Sequence, residues 1–115
     1  MKAIDRARAH YTRLAAEPKK IPVPEWADEG EEFFVYATPL TLNERAKIGR
    51  FAKNPQEMAA ELLILKAKDA AGAPLFLKEE KFDLMREVAS DVIARITTEI
   101  VGIPDAEIVD DAEKN

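Results

Sequence analysis

The sequence predicts an α+β fold: a mainly helical single domain of about four helices, with a small N-terminal β-hairpin and a disordered acidic C-terminal tail. Three observations carry this. Apolar residues recur at helical spacing over most of positions 41–101, as in helices that bury one face. Pro18, Pro22, Pro24 and Pro39 crowd the stretch before it, where they forbid helix while Ile21, Val23 and Phe33-Phe34-Val35-Tyr36 favour extended backbone. Beyond Pro104 the residues are acidic and show no sustained period. At 115 residues the chain is one domain in length, enough for folding to hide about two-thirds of the surface of the unfolded chain. The expected organisation is one domain over 1–104, with a basic helix in 1–18, a hairpin in 20–40 and a helical part in 41–102, followed by a flexible tail over 105–115.

The elements follow in order. Residues 3–16 place Ile4, Ala7, Tyr11 and Leu14 on one narrow line, with Arg6, Arg8, Arg13 and Asp5 off it, and Glu17-Pro18 ends that helix. A narrow stripe suits a helix that docks on a neighbour. The hairpin spans about 20–37. Its connection, Glu25 to Glu32, is acidic and includes Gly30, which can take positive φ at the turn. Pro22 and Pro24 cannot donate to a ladder, which makes the first strand an edge.

Thr41-Leu42-Asn43-Glu44 reads as a capping box opening a helix over 41–53 that presents Leu42, Ile48 and Phe51. Asn54-Pro55 is an N-cap followed by proline at N1. The helix it opens, 55–68, buries Met58, Leu62 and Leu65, and Leu63 and Ile64 make it apolar almost all round, which marks the central helix. Asp69 to Pro74 is a turn, with Leu75-Phe76-Leu77 as an apolar anchor after it. A last helix over 78–101 carries Phe82, Met85, Ala89, Val92, Ile93, Ile96 and Ile100 at helical spacing, with Gly102 and Pro104 as its stop.

The net charge of −5 is unevenly spread. Residues 1–20 carry six basic and two acidic side chains, 25–32 five acidic and none basic, and 105–115 five acidic and one basic, leaving 33–104 neutral with ten of each. The acidic balance argues against a dedicated nucleic-acid binder, whose affinity comes largely from cations on phosphates. The basic helix is then a solvated face, or meets the acidic 25–32 segment of another copy. The start has no apolar signal region. The longest fully apolar run, Leu62-Leu63-Ile64-Leu65, is far short of the ~20 residues of a membrane span.

Signals for catalysis are sparse. There is no cysteine, which removes disulfides, thiolate zinc sites and cysteine nucleophiles. His10 is the single histidine, Ser90 the single serine, and the four glycines are too far apart for a phosphate loop. Adjacent carboxylates such as Glu79-Glu80 diverge on a helix and clamp nothing by themselves. The reading is a non-enzymatic protein with no catalytic, cofactor or metal residues. Trp26 is either a plug that closes the hairpin or an exposed anchor for a partner.

In order and length, several features resemble the tail assembly chaperones of long-tailed bacteriophages. They are Val23-Pro24-Glu25-Trp26, then Val35 to Arg45 (Val-Tyr-Ala-Thr-Pro-Leu-Thr-Leu-Asn-Glu-Arg), then the apolar helix running into Asp69 to Phe76, then the amphipathic last helix. Together they cover about residues 20–102. The resemblance implies a protein of the bacterial host's cytoplasm that coats the phage tape measure protein, delivers major tail tube subunits and is absent from the mature virion. Self-association along the client would add avidity, and charge and hydropathy point to neither nucleic acid nor membrane as partner. Partner contacts are then expected at Trp26, Tyr36, Leu75 and Phe76. Such a family often makes a longer product by a −1 frameshift. Glu113-Lys114-Asn115 can be encoded GAA-AAA-AAC, which holds a slippery heptamer, while other codons would make an ordinary acidic terminus. The alternative reading is a small bacterial adaptor or regulatory protein acting through its basic N-terminal helix.

Overall fold

The computed structural model describes the backbone of residues 2–114 and the side chains of residues 2–103. Helix α1 is Ala3–Ala16, ending as expected before Pro18. Strands β1 (Lys19–Pro22) and β2 (Phe34–Ala37) pair antiparallel with Ile21 opposite Val35, and a 3₁₀ turn over Pro24–Trp26 opens their connection. Gly30 takes φ +81°, the positive value the turn needs. The far side of β2 is met by Lys68, through paired bonds of 2.9 and 3.0 Å with the backbone of Tyr36. β1 is thus the edge, where Pro22 costs no ladder bond.

Helices α2 (Leu42–Phe51) and α3 (Pro55–Lys66) have the caps their sequences promise. Thr41 Oγ1 accepts from the Glu44 amide at 3.1 Å and Glu44 Oε1 from the Thr41 amide at 2.9 Å, and Asn54 Oδ1 accepts from the Glu57 amide at 2.9 Å.

The single helix expected over 78–101 is instead three pieces. A 3₁₀ turn at Lys78–Glu80 leads into α4 (Lys81–Glu87); Val88 is extended at φ −116°, ψ 137°; and α5 (Ser90–Lys114) starts anew. Ala89 supplies the first carbonyl of α5, accepting from the Ile93 amide at 3.3 Å. The break lets α4 and α5 each turn apolar residues, Leu84 on one and Val92, Ile93, Ile96 and Ile100 on the other, toward one core. The expected stop also moves. Gly102 lacks the positive φ of a helix-ending glycine, and α5 runs past it because Ile100 is fully buried and Val101 and Ile103 pack on the core. The expectation of a flexible tail over 105–115 falls outside the residues with described side chains.

The core joins the hairpin residues Ile21, Val23, Val35 and Ala37 to Ile48 of α2, Ala60, Leu62 and Leu63 of α3, and the apolar faces of α4 and α5. Several residues on the right helical period lie outside it. Leu42 is 85% exposed, Phe82 57%, Phe51 50% and Met58 48%, so α2 buries only Ile48 of its three expected core residues. No side chain of helix α1 is fully buried.

Candidate functional site

Helix α3 organises the surface because it is apolar on more sides than the chain covers. Ala60, Leu63 and Ala67 face the core. Two neighbouring faces, each spaced i, i+3, i+4, i+7, line open depressions, the largely buried Leu62 serving both the core and one of them. Pro55, Met58, Ala59 and Leu62 look into a groove between α3 and α5, which Leu40, Ile48, Thr97 and Val101 help to line, with a volume of about 310 Å³. It continues past Pro55, Ala59 and Thr97 into a second section of about 280 Å³, walled by Leu84, Met85, Val88 and Ile93. Glu61, Ile64, Leu65 and Lys68 look into a separate pocket of about 220 Å³ beside α2, with Lys47, Ile48, Phe51 and Lys78 on its other sides. The sequence signal for both was the all-round apolarity of α3. It marked the helix as central without telling buried faces from open ones.

Polar clusters hold these walls in place. Lys66, at the end of α3, is buried, and its ammonium donates to Thr38 Oγ1 at 2.7 Å, to the Pro39 carbonyl at 3.3 Å and to both Glu44 oxygens at 3.0 and 3.1 Å. One carboxylate therefore caps α2 and neutralises the buried cation that ties α3 to the β2–α2 connection. Among the described residues no buried side-chain nitrogen or oxygen is left unsatisfied.

Around Lys81 a second cluster fixes the start of α4 against α3. Its ammonium lies 3.1 Å from Glu61, 3.2 Å from Glu57 and 3.2 Å from the Phe51 carbonyl, and its pKa is raised, chiefly by the Glu61 carboxylate. Glu57 also accepts from the Lys53 amide at 2.8 Å; that bond first, and Lys81 second, hold its carboxyl below the ordinary 4.5. At the other end of the molecule the Arg95 guanidinium grips Glu25 bidentately at 2.6 and 2.8 Å, which lowers the Glu25 pKa to about 2, and Lys19 meets Glu99 at 2.8 Å. Part of the acidic hairpin connection is thus spent within the chain, on α5.

The four residues expected at partner contacts divide into two places. Trp26 is a plug: its ring packs edge-on against Phe33 at 5.9 Å and Phe76 at 5.7 Å, half-buried on the core, and Leu75 packs on the core as well. Tyr36 is apart from them, bordering a cleft between Ala15, Ala16 and Pro18 at the end of α1 and the turn through Gly72, which takes φ +89°. None of the four lines the α3–α5 groove or the pocket beside α2.

Among the described residues no group of His, Cys, Asp or Glu is placed to hold a metal ion, and no helix is long and apolar enough to cross a membrane. What the surface offers chemically is apolar concavity, with lysines on one side of α3 and scarcely any charge on the other. Comparison with family models, with characterised proteins and with solved structures returns no match for this chain.

Proposed function

We propose that this protein is a non-enzymatic tail assembly chaperone of a long-tailed bacteriophage or prophage. In this reading it works in the cytoplasm of the bacterial host, binds the tape measure protein, helps to recruit major tail tube subunits and is left out of the mature virion. The observation that carries the reading is the α3–α5 groove, an open apolar trough floored by Met58, Ala59 and Leu62. A trough between helices accepts the apolar stripe of another helix through anchors at i, i+3, i+4 and i+7. A tape measure is a long, largely helical, apolar chain that would aggregate before assembly, so covering such stripes is what keeping it soluble requires. Many copies along one client would add weak contacts into high avidity. The ordered motifs of residues 20–102 support the same reading.

Co-expression with the candidate tape measure protein tests it. The tape measure is expected to become soluble and to co-purify with the chain, and Met58→Asp, at a half-exposed position in the groove, to abolish both while the chain stays folded. An insoluble tape measure beside a folded wild-type chain would overturn the reading. One observation favours the adaptor alternative: α1 presents Arg6, Arg8 and Arg13, all exposed, and none of its side chains is fully buried. Deleting residues 2–16 distinguishes the two, since the chaperone reading expects rescue to survive that deletion.

A further inference from the structure

We propose that the pocket beside α2 is a second docking site, for an acidic amphipathic helix of a partner protein. The floor is apolar, made by Ile48, Ile64 and Leu65, with Phe51 half-exposed beside them. Three lysines line it from three different elements: Lys47 on α2, Lys68 just after α3, and Lys78 at the start of the 3₁₀ turn. The one carboxylate in the lining, Glu61, is already matched to Lys81 at 3.1 Å. None of the three lysines has an ion-pair partner among the described residues. Cations converging on apolar surface from several sides, with no acid among the described residues answering them, are complementary to an apolar stripe flanked by carboxylates.

Size separates a helix from a whole drug-sized ligand. The pocket holds about 220 Å³, below the roughly 300–1,000 Å³ of sites that enclose a whole small ligand. It has room for the anchoring side chains of a longer partner, while Lys47, Lys68 and Lys78 meet acids one turn before and after the anchors. The lysines are not deeply buried, so each contact is weak and their combined effect is to select the sign of the partner's charge. This site shares only Ile48 with the groove on the other flank of α3, and its lysines select by charge whether or not that groove takes an apolar client.

The test uses the full chain and a fluorescent synthetic helix of about four turns with a leucine stripe and glutamate flanks, read by anisotropy, beside a peptide with the same stripe and lysine flanks. The glutamate peptide is expected to bind, the lysine peptide to bind at least about tenfold more weakly, and binding to fall as salt rises from about 50 to about 300 mM. Lys68→Glu with Lys78→Glu should cost the glutamate peptide about tenfold or more and improve the lysine peptide. Circular dichroism reports the fold of each variant. If the double variant does not fold, Lys47→Glu alone, at an exposed position, should produce the same reversal of preference. Equal affinity for the two peptides, or indifference to the lysine substitutions, would overturn the proposal. So would self-association of the chain that the lysine variants dissolve, which makes the occupant a second copy, or binding to phosphatidylglycerol vesicles without binding to the peptide.

Discussion

Helices α1 and α3 are close in length, 14 and 12 residues, yet they sit in the molecule in opposite ways. On α1 the apolar stripe has Ile4 more than half exposed and only Tyr11, Leu14 and Ala15 partly covered; its Tyr11 hydroxyl reaches the body at the Pro39 carbonyl, 3.2 Å away. On α3 Leu63 is fully buried, Lys66 is buried with its charge satisfied, and three faces are in use at once. The difference teaches that an apolar pattern locates surface that wants cover but does not say whether the chain itself supplies the cover. A helix with little apolar surface can stay on the outside. One with too much becomes the axis of the fold and still leaves open depressions on two flanks.

The sharpest way to break the comparison is to hollow α3. Leu63→Ala removes a fully buried side chain from the helix on which α2, α4 and α5 converge. It should cost about 2–5 kcal/mol, the loss of transfer free energy plus the cavity left behind, measured by urea denaturation. A loss below about 1 kcal/mol would mean the neighbouring elements close over the gap and α3 is not the axis.

Acid provides a milder test of α3's polar tethers. The Glu57 carboxyl is held below its ordinary pKa by the Lys53 amide and by Lys81. A carboxyl whose folded pKa is depressed contributes stability that is fully present above the unfolded value, here 4.5, and is lost as pH falls through the folded value. Melting temperatures should therefore drop below pH 4.5, and Glu57→Gln should flatten that part of the profile. The variant should also be less stable near neutrality, since it loses the ion pair with Lys81. An identical acid profile for the two proteins would show that this cluster contributes nothing to the way α3 holds α4.

How far the chain could be read in advance follows from the range of its interactions. Thr41 with Glu44 and Asn54 with Glu57 are contacts three residues apart, and both caps stand as their sequences indicate. The other partner of Glu44, Lys66, lies 22 residues on, and no local pattern connects them. The break at Val88 was hidden by continuity: Met85, Ala89 and Val92 keep helical spacing straight across it, although Ser90-Asp91 just after it is a reasonable helix start. Met58 and Leu62 were legible as apolar and on one face, but that this face lines a groove depends on where α5 passes. Trp26 could equally have been plug or anchor until Phe76, fifty residues later, packed against its ring.

The smallest expected effect lies on α1, and it is informative because it should be nearly nothing. Ile4 is 54% exposed, so Ile4→Ser removes little burial and should change stability by no more than about 0.5 kcal/mol, as surface substitutions usually do. Leu14, half-buried near the end of the same helix, gives the scale: Leu14→Ser should cost more than Ile4→Ser, on the order of 1 kcal/mol, since it loses part of a leucine's transfer free energy. Denaturant melts of the two variants, compared over a range of protein concentrations, decide the matter. If Ile4→Ser costs as much as Leu14→Ser, and the cost grows with concentration, the stripe of α1 is covered by another copy in solution. The contrast with α3 would then be one of where the cover comes from rather than of whether it exists. If Leu14→Ser alone is costly and neither cost depends on concentration, α1 is held by its last turns alone and its first turns remain open to solvent.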